Sequence, residues 1–234
     1  MRRVGFISFS IGILLGILLI LVRAVPDMES TFYGFIKYDY PGIPSLSCPM
    51  LMTYHDRQPV TIRLNNPLDR DLTYYVKAEF STNLIIATEE ERVVVKPGET
   101  RTLSWEVGSE NIDLNNFIFA NVFFSPAAAM KMRASTCGTL VLNLPFSGGP
   151  VIFNIILQLA VLTSGFGLWF WPRYSDKGNP AVVYLTWWMR FAAIVIGVGV
   201  VAAIFNWWFL AILTLVLIML SLSVFLLPQK QFYG

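Results

Sequence analysis

The most constraining feature of the chain is a long apolar stretch in its C-terminal part. From residue 178 to residue 229 the sequence carries a single charged side chain, that of Arg190. A helix crosses a bilayer with about 20 consecutive apolar residues, so this stretch has room for two crossings. Two further uncharged stretches, residues 4–22 and 149–171, bring the predicted number of transmembrane helices to four. The sequence therefore predicts a membrane protein.

Between the first and second predicted helices lies a segment of ordinary water-facing composition. Residues 28–148 carry 13 acidic and 10 basic side chains, a net charge of −3, whereas the rest of the chain has a net charge of +5. A nucleic-acid-binding surface needs clustered Lys and Arg. The mildly acidic segment therefore argues against nucleic acid as a partner, and the predicted partners are the lipid bilayer and other membrane protein subunits.

The basic residues outside this segment predict the orientation of the chain. With four crossings, the basic residues next to the helix ends all fall on one side of the membrane, which the positive-inside rule identifies as the cytoplasm. These residues are Arg2, Arg3, Arg173, Lys177 and Lys230. We expect a multi-pass protein of the plasma (inner) membrane with cytoplasmic N- and C-termini and an extracytoplasmic segment 28–148. Arg23, on the outer side, is the exception.

The first apolar segment is interpreted as a retained signal anchor. Residues 22–24 weakly resemble a cleavage site, but 19 uninterrupted apolar residues exceed the usual signal-peptide core of about 7–15. The predicted organisation is an anchor over 1–25, an aromatic juxtamembrane segment over 26–47, an extracytoplasmic β-domain over 48–147, a second transmembrane helix over 148–172, a cytoplasmic loop over 173–180, a third and fourth helix over 181–227, and a cytoplasmic tail over 228–234.

The two cysteines of the chain, Cys48 and Cys137, lie near the two ends of the external segment. In an oxidising compartment such a pair is expected to form a disulfide. The alternative is a pair of buried, unpaired thiols.

The external segment has the period-two pattern of strands with one buried and one solvated face. Val60, Ile62 and Leu64 alternate with polar residues, and similar alternation recurs over 72–80 and 102–107. Asn-Pro and Pro-Gly turns separate these runs. Seven or eight short strands in this length predict an antiparallel sandwich.

Two stretches carry a resemblance to known domains. "VTIRLNNPLDRDLTYYVKAEF" and "ERVVVKPGETRTLSWEV" resemble bacterial extracytoplasmic immunoglobulin-like and fibronectin-like modules over residues 48–144. The resemblance implies an immunoglobulin-like sandwich for this segment. Together with the apolar stretches, the predicted fold class is a membrane α-helical protein of four transmembrane helices with an inserted all-β, immunoglobulin-like sandwich. The cysteines are not placed like the antibody pair and are predicted to tie the first strand to the last. Such modules adhere to partners or space them, and the fold alone does not select among these roles.

The segment 26–47 is rich in aromatic residues. We expect it to lie close to the membrane surface, where amphipathic rings are favoured. The alternative is a packing surface for a partner, and a groove lined by Tyr33, Tyr38 and Tyr40 would favour a receptor. Residues 125–135 break the strand pattern and are predicted to form an exposed loop.

Catalytic, metal and cofactor motifs are not found in the sequence. The single histidine, His55, precedes Asp56 at a predicted turn, and a solvated turn is favoured over a catalytic dyad. Glu89, Glu90 and Glu91 offer oxygen ligands for calcium, but consecutive strand residues point to alternate faces, so a solvated edge is favoured. We expect no catalytic residue, no cofactor and no bound metal.

The predicted helices carry three features of interest. Ser8, Gly12 and Gly16 recur every four residues and form a small-residue face that permits close helix packing. Asn154 and Gln158, one turn apart, are able to form hydrogen bonds across a helix interface. These two features fit internal packing and an external partner equally well. The third is Arg190, which follows Trp187 and Trp188 and either snorkels to the cytoplasmic interface or pairs with a lipid head group or a partner subunit.

Three functions are weighed on these grounds. The leading one is a non-enzymatic accessory or scaffold subunit of a larger cell-envelope membrane complex, using the sandwich and the small-residue helix faces for protein contacts. The second is a stand-alone membrane-anchored receptor or adhesion module that binds a polymer or peptide outside the membrane. The third, a small transporter or membrane enzyme, needs a polar cavity at membrane depth.

Overall fold

The computed structural model describes residues 2–35, 40–83, 85–127, 131–174 and 180–232, and the side chains of these residues except Arg2, Ala181 and 223–232. The chain divides into two compact units. The helical unit consists of Met1–Ala24 and Val151–Gly234, and the β domain consists of Val25–Pro150.

Four helices account for the apolar stretches of the sequence, because a helix satisfies its backbone hydrogen bonds internally in lipid. They are α1 (Arg2–Phe32), α2 (Gly149–Arg173), α3 (Pro180–Ile204) and α4 (Trp208–Phe232). Within the described residues, the parts of α1, α2 and α3 over Arg3–Phe32, Gly149–Arg173 and Val182–Ile204 are long and apolar enough to cross a membrane. In α4 the corresponding apolar part, Trp208–Leu222, is shorter. The described residues contain the four predicted helices, and the number of these helices that cross the membrane stays a prediction.

Helix α1 continues past the predicted end of the membrane anchor at residue 25. It passes through Pro26 and ends at Phe32, so the first part of the segment 26–47 is helical. Within the β domain, the Asp27 carboxylate accepts a hydrogen bond of 2.9 Å from the Gly138 N–H. A side chain at Gly138 would collide with the main chain of Pro26. The close packing of this part of α1 on Gly138 of a strand outweighs the helix-breaking tendency of Pro26. Local sequence patterns do not reveal such packing between distant residues.

The described residues of the β domain form eight strands in two sheets. They are β1 (Leu51–Thr53), β2 (Gln58–Asn65), β3 (Leu72–Phe80), β4 (Ala87–Val95), β5 (Thr100–Val107), β6 (Ile112–Asp113), β7 (Phe117–Pro126) and β8 (Arg133–Leu142). The larger sheet has the order β1-β8-β7-β3-β4, with β6 paired to β7, and the smaller sheet pairs β2 with β5. The pairing of β1 with β8 is parallel and the other pairings are antiparallel.

The two sheets share one hydrophobic core, as the period-two pattern predicts. Val60, Ile62 and Leu64 of β2 are buried, and so are alternate residues of β5 and β3. Buried residues from both sheets belong to the same cluster, which is the arrangement of a β-sandwich. The loop predicted over 125–135 is shorter, because β7 extends to Pro126 and β8 begins at Arg133. Residues 128–130 of that loop lie outside the described residues.

The helical unit has its own apolar core. Phe9 and Ile20 of α1 pack with Met189 and Ile196 of α3, and residues of α2 and α4 complete the cluster. The turn between α3 and α4 is short, since α3 ends at Ile204 and α4 begins at Trp208.

Candidate binding surfaces

The small-residue face of α1 packs against helices of the same chain. The Ser8 hydroxyl donates a hydrogen bond of 2.9 Å to the Thr163 carbonyl of α2. A Cβ at Gly12 would lie 2.5 Å from the Ser164 backbone nitrogen, and one at Gly16 would lie 2.5 Å from Cγ2 of Ile196 on α3. The sequence left two roles open for this face, internal packing and contact with an external partner. In the structure these residues take part in internal packing.

The outer face of α2 differs from the face that packs on α1. Asn154 and Gln158 are both exposed, one turn apart as predicted. Gly165, further along α2, is exposed too, and a Cβ built there would meet open space. Exposed apolar residues surround them, including Ile155, Leu159, Val161, Leu162 and Trp169. This surface, which we call the α2 outer face, combines side-chain amides with a position where another helix could approach closely.

Arg190 lies on the surface of α3, shortly after Trp187 and Trp188 in the sequence. Its side chain is exposed, and its guanidinium carbon is 5.8 Å from the centre of the exposed Trp187 ring. Trp188 is half-buried and packs against the core of the helical unit. Arg190 and Trp187 are thus available to lipid or to a partner, and the choice between these roles stays a prediction.

Arg23, the exception to the charge pattern, is buried within the helical unit. Its guanidinium donates a hydrogen bond to the side-chain oxygen of Asn206. Asn206 lies in the turn between α3 and α4 with a φ of 60°, a left-handed conformation that Asn tolerates better than most residues. Arg23 therefore ties α1 to this turn, a contact that the sequence indicates only through a charge at the end of an apolar run.

The disulfide prediction is confirmed, since Cys48 and Cys137 are bonded to each other. Cys48 lies just before β1 and Cys137 lies in β8, so the bond links the first strand region to the last strand, as predicted. The alternative of two unpaired thiols is excluded. The apolar helices indicate membrane association, and the disulfide indicates an oxidising environment for the β domain.

His55 and Asp56 form a turn, but the prediction that both are solvated is wrong for Asp56. His55 is exposed, whereas Asp56 is buried and accepts backbone hydrogen bonds from Thr53 at 2.7 Å and from Gly148 and Gly149 at 2.8 Å. Although burial raises the pKa of Asp56, these bonds outweigh it and lower the pKa below its ordinary value of 3.8. Asp56 thus caps the first turn of α2. Gly148 and Gly149 are some 90 residues away from Asp56 in sequence, so local sequence patterns do not reveal this role.

The acidic cluster lies where the sequence predicted it. Glu89, Glu90 and Glu91 are exposed on β4, the outer strand of the larger sheet. Within the described parts of the chain, no group of three or more His, Cys, Asp or Glu side chains is arranged to hold a metal ion.

The aromatic residues after α1 are engaged within the β domain. The Tyr33 hydroxyl donates a 2.5 Å hydrogen bond to Asp113, and its ring centre is 4.6 Å from that of Phe119. Burial, followed by the contact with Asp113, raises the pKa of Tyr33 to about 12. The Tyr40 ring centre lies 5.8 Å from that of Phe123, and Tyr38 lies outside the described residues. Tyr33 therefore contributes to internal packing.

A groove of about 550 Å³ in the β domain was not predicted from the sequence. Three basic side chains line it, those of Arg63, Lys131 and Arg133. Arg63 and Lys131 are exposed, and Arg133 is half-buried and donates a hydrogen bond of 3.0 Å to the Gly42 carbonyl. None of the residues that line this groove, all of which the structure describes, is acidic. We call it the basic groove.

The floor of the basic groove is apolar. Ile43, Leu64 and Tyr74 are buried there, and Phe124 is half-buried. The rim includes three prolines, Pro44, Pro67 and Pro126. The sequence gives no sign of this groove, because its cations come from distant positions, Arg63 in β2, Lys131 just before β8 and Arg133 at the start of β8, and the segment as a whole is acidic.

No family model and no curated protein matches the chain. Among solved structures, part of the chain is similar to the crystal structure of a β-glucuronidase from Bacteroides uniformis, with 13% sequence identity and a TM-score of 0.32. The alignment covers 41% of this chain and 12% of that chain. We draw no conclusion about function from this similarity.

Proposed function

We propose that the protein is a non-enzymatic accessory subunit of a larger cell-envelope membrane complex. The observation that carries this proposal is the exposed amide of Gln158 on the apolar surface of α2. A polar side chain that faces hydrocarbon loses its hydrogen bonds to water, so a partner helix that supplies a donor and an acceptor is favoured. The open space at Gly165 lets the backbone of such a helix come close.

This proposal differs in one respect from the expectation drawn from the sequence. The small-residue face of α1 is occupied by α2 and α3, so it is not the surface that we assign to a partner. The α2 outer face takes that role instead.

In this proposal the termini are cytoplasmic and the β domain is extracytoplasmic. The clustered basic residues at the helix ends support the orientation, and the disulfide supports an oxidising location for the β domain. A protease-protection experiment on right-side-out vesicles tests it. Residues 28–148 are expected to be digested from outside, and their protection would contradict the orientation.

Strand pairing supports the assignment of the β domain to the immunoglobulin-like class. β2 pairs with β5, while β3, β7 and β8 pair in succession in the other sheet. In immunoglobulin domains strands B and E share one sheet, and strands C, F and G share the other. Domains of this class commonly serve as spacers or adhesive modules, which suits an accessory subunit.

Site-specific photocrosslinking in native membranes tests the role of the α2 outer face. A photoreactive residue at Leu162, beside Gln158 and Gly165, is expected to crosslink to another membrane protein. The matched control carries the same residue at the exposed Val198 of α3. In addition, Gln158→Leu is expected to reduce the crosslink at position 162, whereas Val201→Leu, at an exposed position of α3, is expected to leave it unchanged. Equal crosslinking from 162 and 198, or none from either, would contradict the proposal.

A stand-alone receptor is the second candidate function, and the basic groove favours it. The third, a transporter or membrane enzyme, needs polar groups that converge inside the helical unit. Arg190, Asn154 and Gln158 are instead exposed on its surface, and the buried Arg23 is engaged with Asn206, so we do not propose this function.

A further inference from the structure

We propose that the basic groove binds an extended acidic peptide segment of a partner protein. The charge of the groove is the first argument. Three cations line it without an acidic neighbour among its lining residues, although residues 28–148 as a whole have a net charge of −3. A local positive surface on an acidic domain selects an anionic partner, because complementary charge accelerates association and disfavours other partners.

The remaining polar groups of the groove distinguish a peptide from an anionic sugar. The Ser45 hydroxyl donates to the Arg63 carbonyl at 2.9 Å, and the Tyr74 hydroxyl donates to the Asn65 carbonyl at 2.7 Å. These hydroxyls are already engaged within the domain. A sugar also needs acceptors for its own hydroxyl groups, and the side chains of the groove offer few beyond the amide oxygen of Asn65 and the hydroxyl oxygens of Ser45 and Tyr74, because the three basic side chains are donors only. The groove therefore suits carboxylates better than it suits a ring of hydroxyl groups.

The apolar floor gives the second feature of the ligand. The half-buried Phe124 offers surface on which apolar side chains of a peptide can pack, and the exposed Pro44 and Pro67 add rigid rim surface. An extended segment in which acidic residues alternate with apolar or proline residues would use both the cations and the floor. Such a segment loses little conformational freedom on binding when proline holds it extended.

A second copy of this chain is the competing occupant, because Glu89, Glu90 and Glu91 are exposed on β4. The net charge of −3 on residues 28–148 opposes the approach of two such domains. We therefore assign the groove to a different protein. This proposal does not depend on the role proposed for the α2 outer face. An experiment that contradicts one of the two proposals does not contradict the other.

The experiment uses the full chain in detergent micelles and a fluorescein-labelled peptide of repeating Glu-Pro-Glu-Phe. The reference probe replaces each Glu with Gln, and polygalacturonate serves as the anionic sugar. Fluorescence anisotropy is expected to show tighter binding of the acidic peptide than of the neutral one, with weaker binding at higher salt. Replacing Arg63, Lys131 and Arg133 together with Gln is expected to weaken acidic-peptide binding by about tenfold, because each partly exposed ion pair contributes a few-fold.

The matched control replaces three exposed arginines outside the groove, Arg70, Arg92 and Arg101, with Gln, which changes the net charge equally. It is expected to retain binding. If the triple groove variant fails to fold, Arg63→Gln alone is used, because this side chain is exposed. Equal affinity for the two peptides, equal loss in both triple variants, or polygalacturonate binding tighter than that of the acidic peptide would overturn the proposal. So would self-association in analytical ultracentrifugation that the groove substitutions abolish, since it would assign the groove to a second copy.

Discussion

Asp56 is the residue whose role is most sharply defined by its contacts. Replacing it with Ala removes the acceptor of three backbone N–H groups, those of Thr53, Gly148 and Gly149. Buried donors left without a partner are costly, so Asp56→Ala is expected to lower the free energy of unfolding of the β domain by about 2–3 kcal/mol. Thermal denaturation of the purified protein measures this. His55→Ala is the control, since His55 is exposed next to it and is expected to have almost no effect.

The same contacts set the pH dependence of this contribution. Because the pKa of Asp56 is lower in the folded protein than its ordinary value of 3.8, its contribution is fully present above that value. It is lost as the pH falls through the lower pKa of the folded state. The stability difference between the wild type and Asp56→Ala should therefore shrink below pH 3.8. A difference that stays constant across the acid range would show that the carboxylate charge is not what holds this turn.

At the scale of the helices, close packing of α1 on α2 depends on Gly12. A Cβ at this position would lie 2.5 Å from the backbone nitrogen of Ser164 and 2.8 Å from its Cα, and the backbone cannot move aside cheaply. We expect Gly12→Ala to destabilise the helical unit by about 1–3 kcal/mol, the usual cost of overpacking. Detergent-titration unfolding measures the change.

Gly165→Ala is the matched control for Gly12. Both glycines lie in helices that are long and apolar enough to cross a membrane, but a Cβ at Gly165 meets open space. The control is expected to change stability by less than about 1 kcal/mol, and in the stabilising direction, because Ala favours the helix over Gly. If Gly12→Ala and Gly165→Ala destabilise the isolated protein equally, the close packing of α1 on α2 is not the reason why position 12 requires glycine.

Some helices and strands could be predicted from the sequence, and the exact ends of others could not. The strands around Val60 and Leu103 follow from period-two alternation, because one face of each sheet is buried in a shared core. The end of α1 could not be predicted, since it depends on the contact of Asp27 with Gly138 far along the chain. For the same reason the strand ends at Pro126 and Arg133 escaped prediction, because pairing with neighbouring strands extends them beyond their own pattern.

At the scale of the whole molecule, the division into apolar helices and a disulfide-bonded β domain is accessible from composition alone. Each long apolar run must satisfy its backbone as a helix in lipid, and two cysteines in an oxidising compartment pair. The candidate binding surfaces are not accessible in this way. The cations of the basic groove come from β2, from β8 and from the residues just before β8. The α2 outer face is the part of α2 that the other helices leave uncovered, so both surfaces depend on tertiary structure.

The disulfide is the covalent link on which the stability of the β domain depends most directly. It closes a loop with a sequence separation of 89 residues, and in the chain-entropy model a loop of this length stabilises the folded state by restricting the unfolded chain. Cys48→Ser or Cys137→Ser is therefore expected to lower the free energy of unfolding of the β domain by about 2–5 kcal/mol. Thermal denaturation with and without reductant measures this loss.

Membrane insertion provides the internal control for this prediction. The two cysteines lie outside all four helices, so either substitution is expected to leave the protein in the membrane fraction at the wild-type level. Reductant should lower the stability of the wild type and have no further effect on the variants, because they already lack the bond. Because the two sulfurs are bonded to each other, iodoacetamide should label neither cysteine in the oxidised protein, even after denaturation without reductant. Labelling of both, or a reductant effect of equal size in wild type and variants, would show that the stability of the β domain does not depend on this bond.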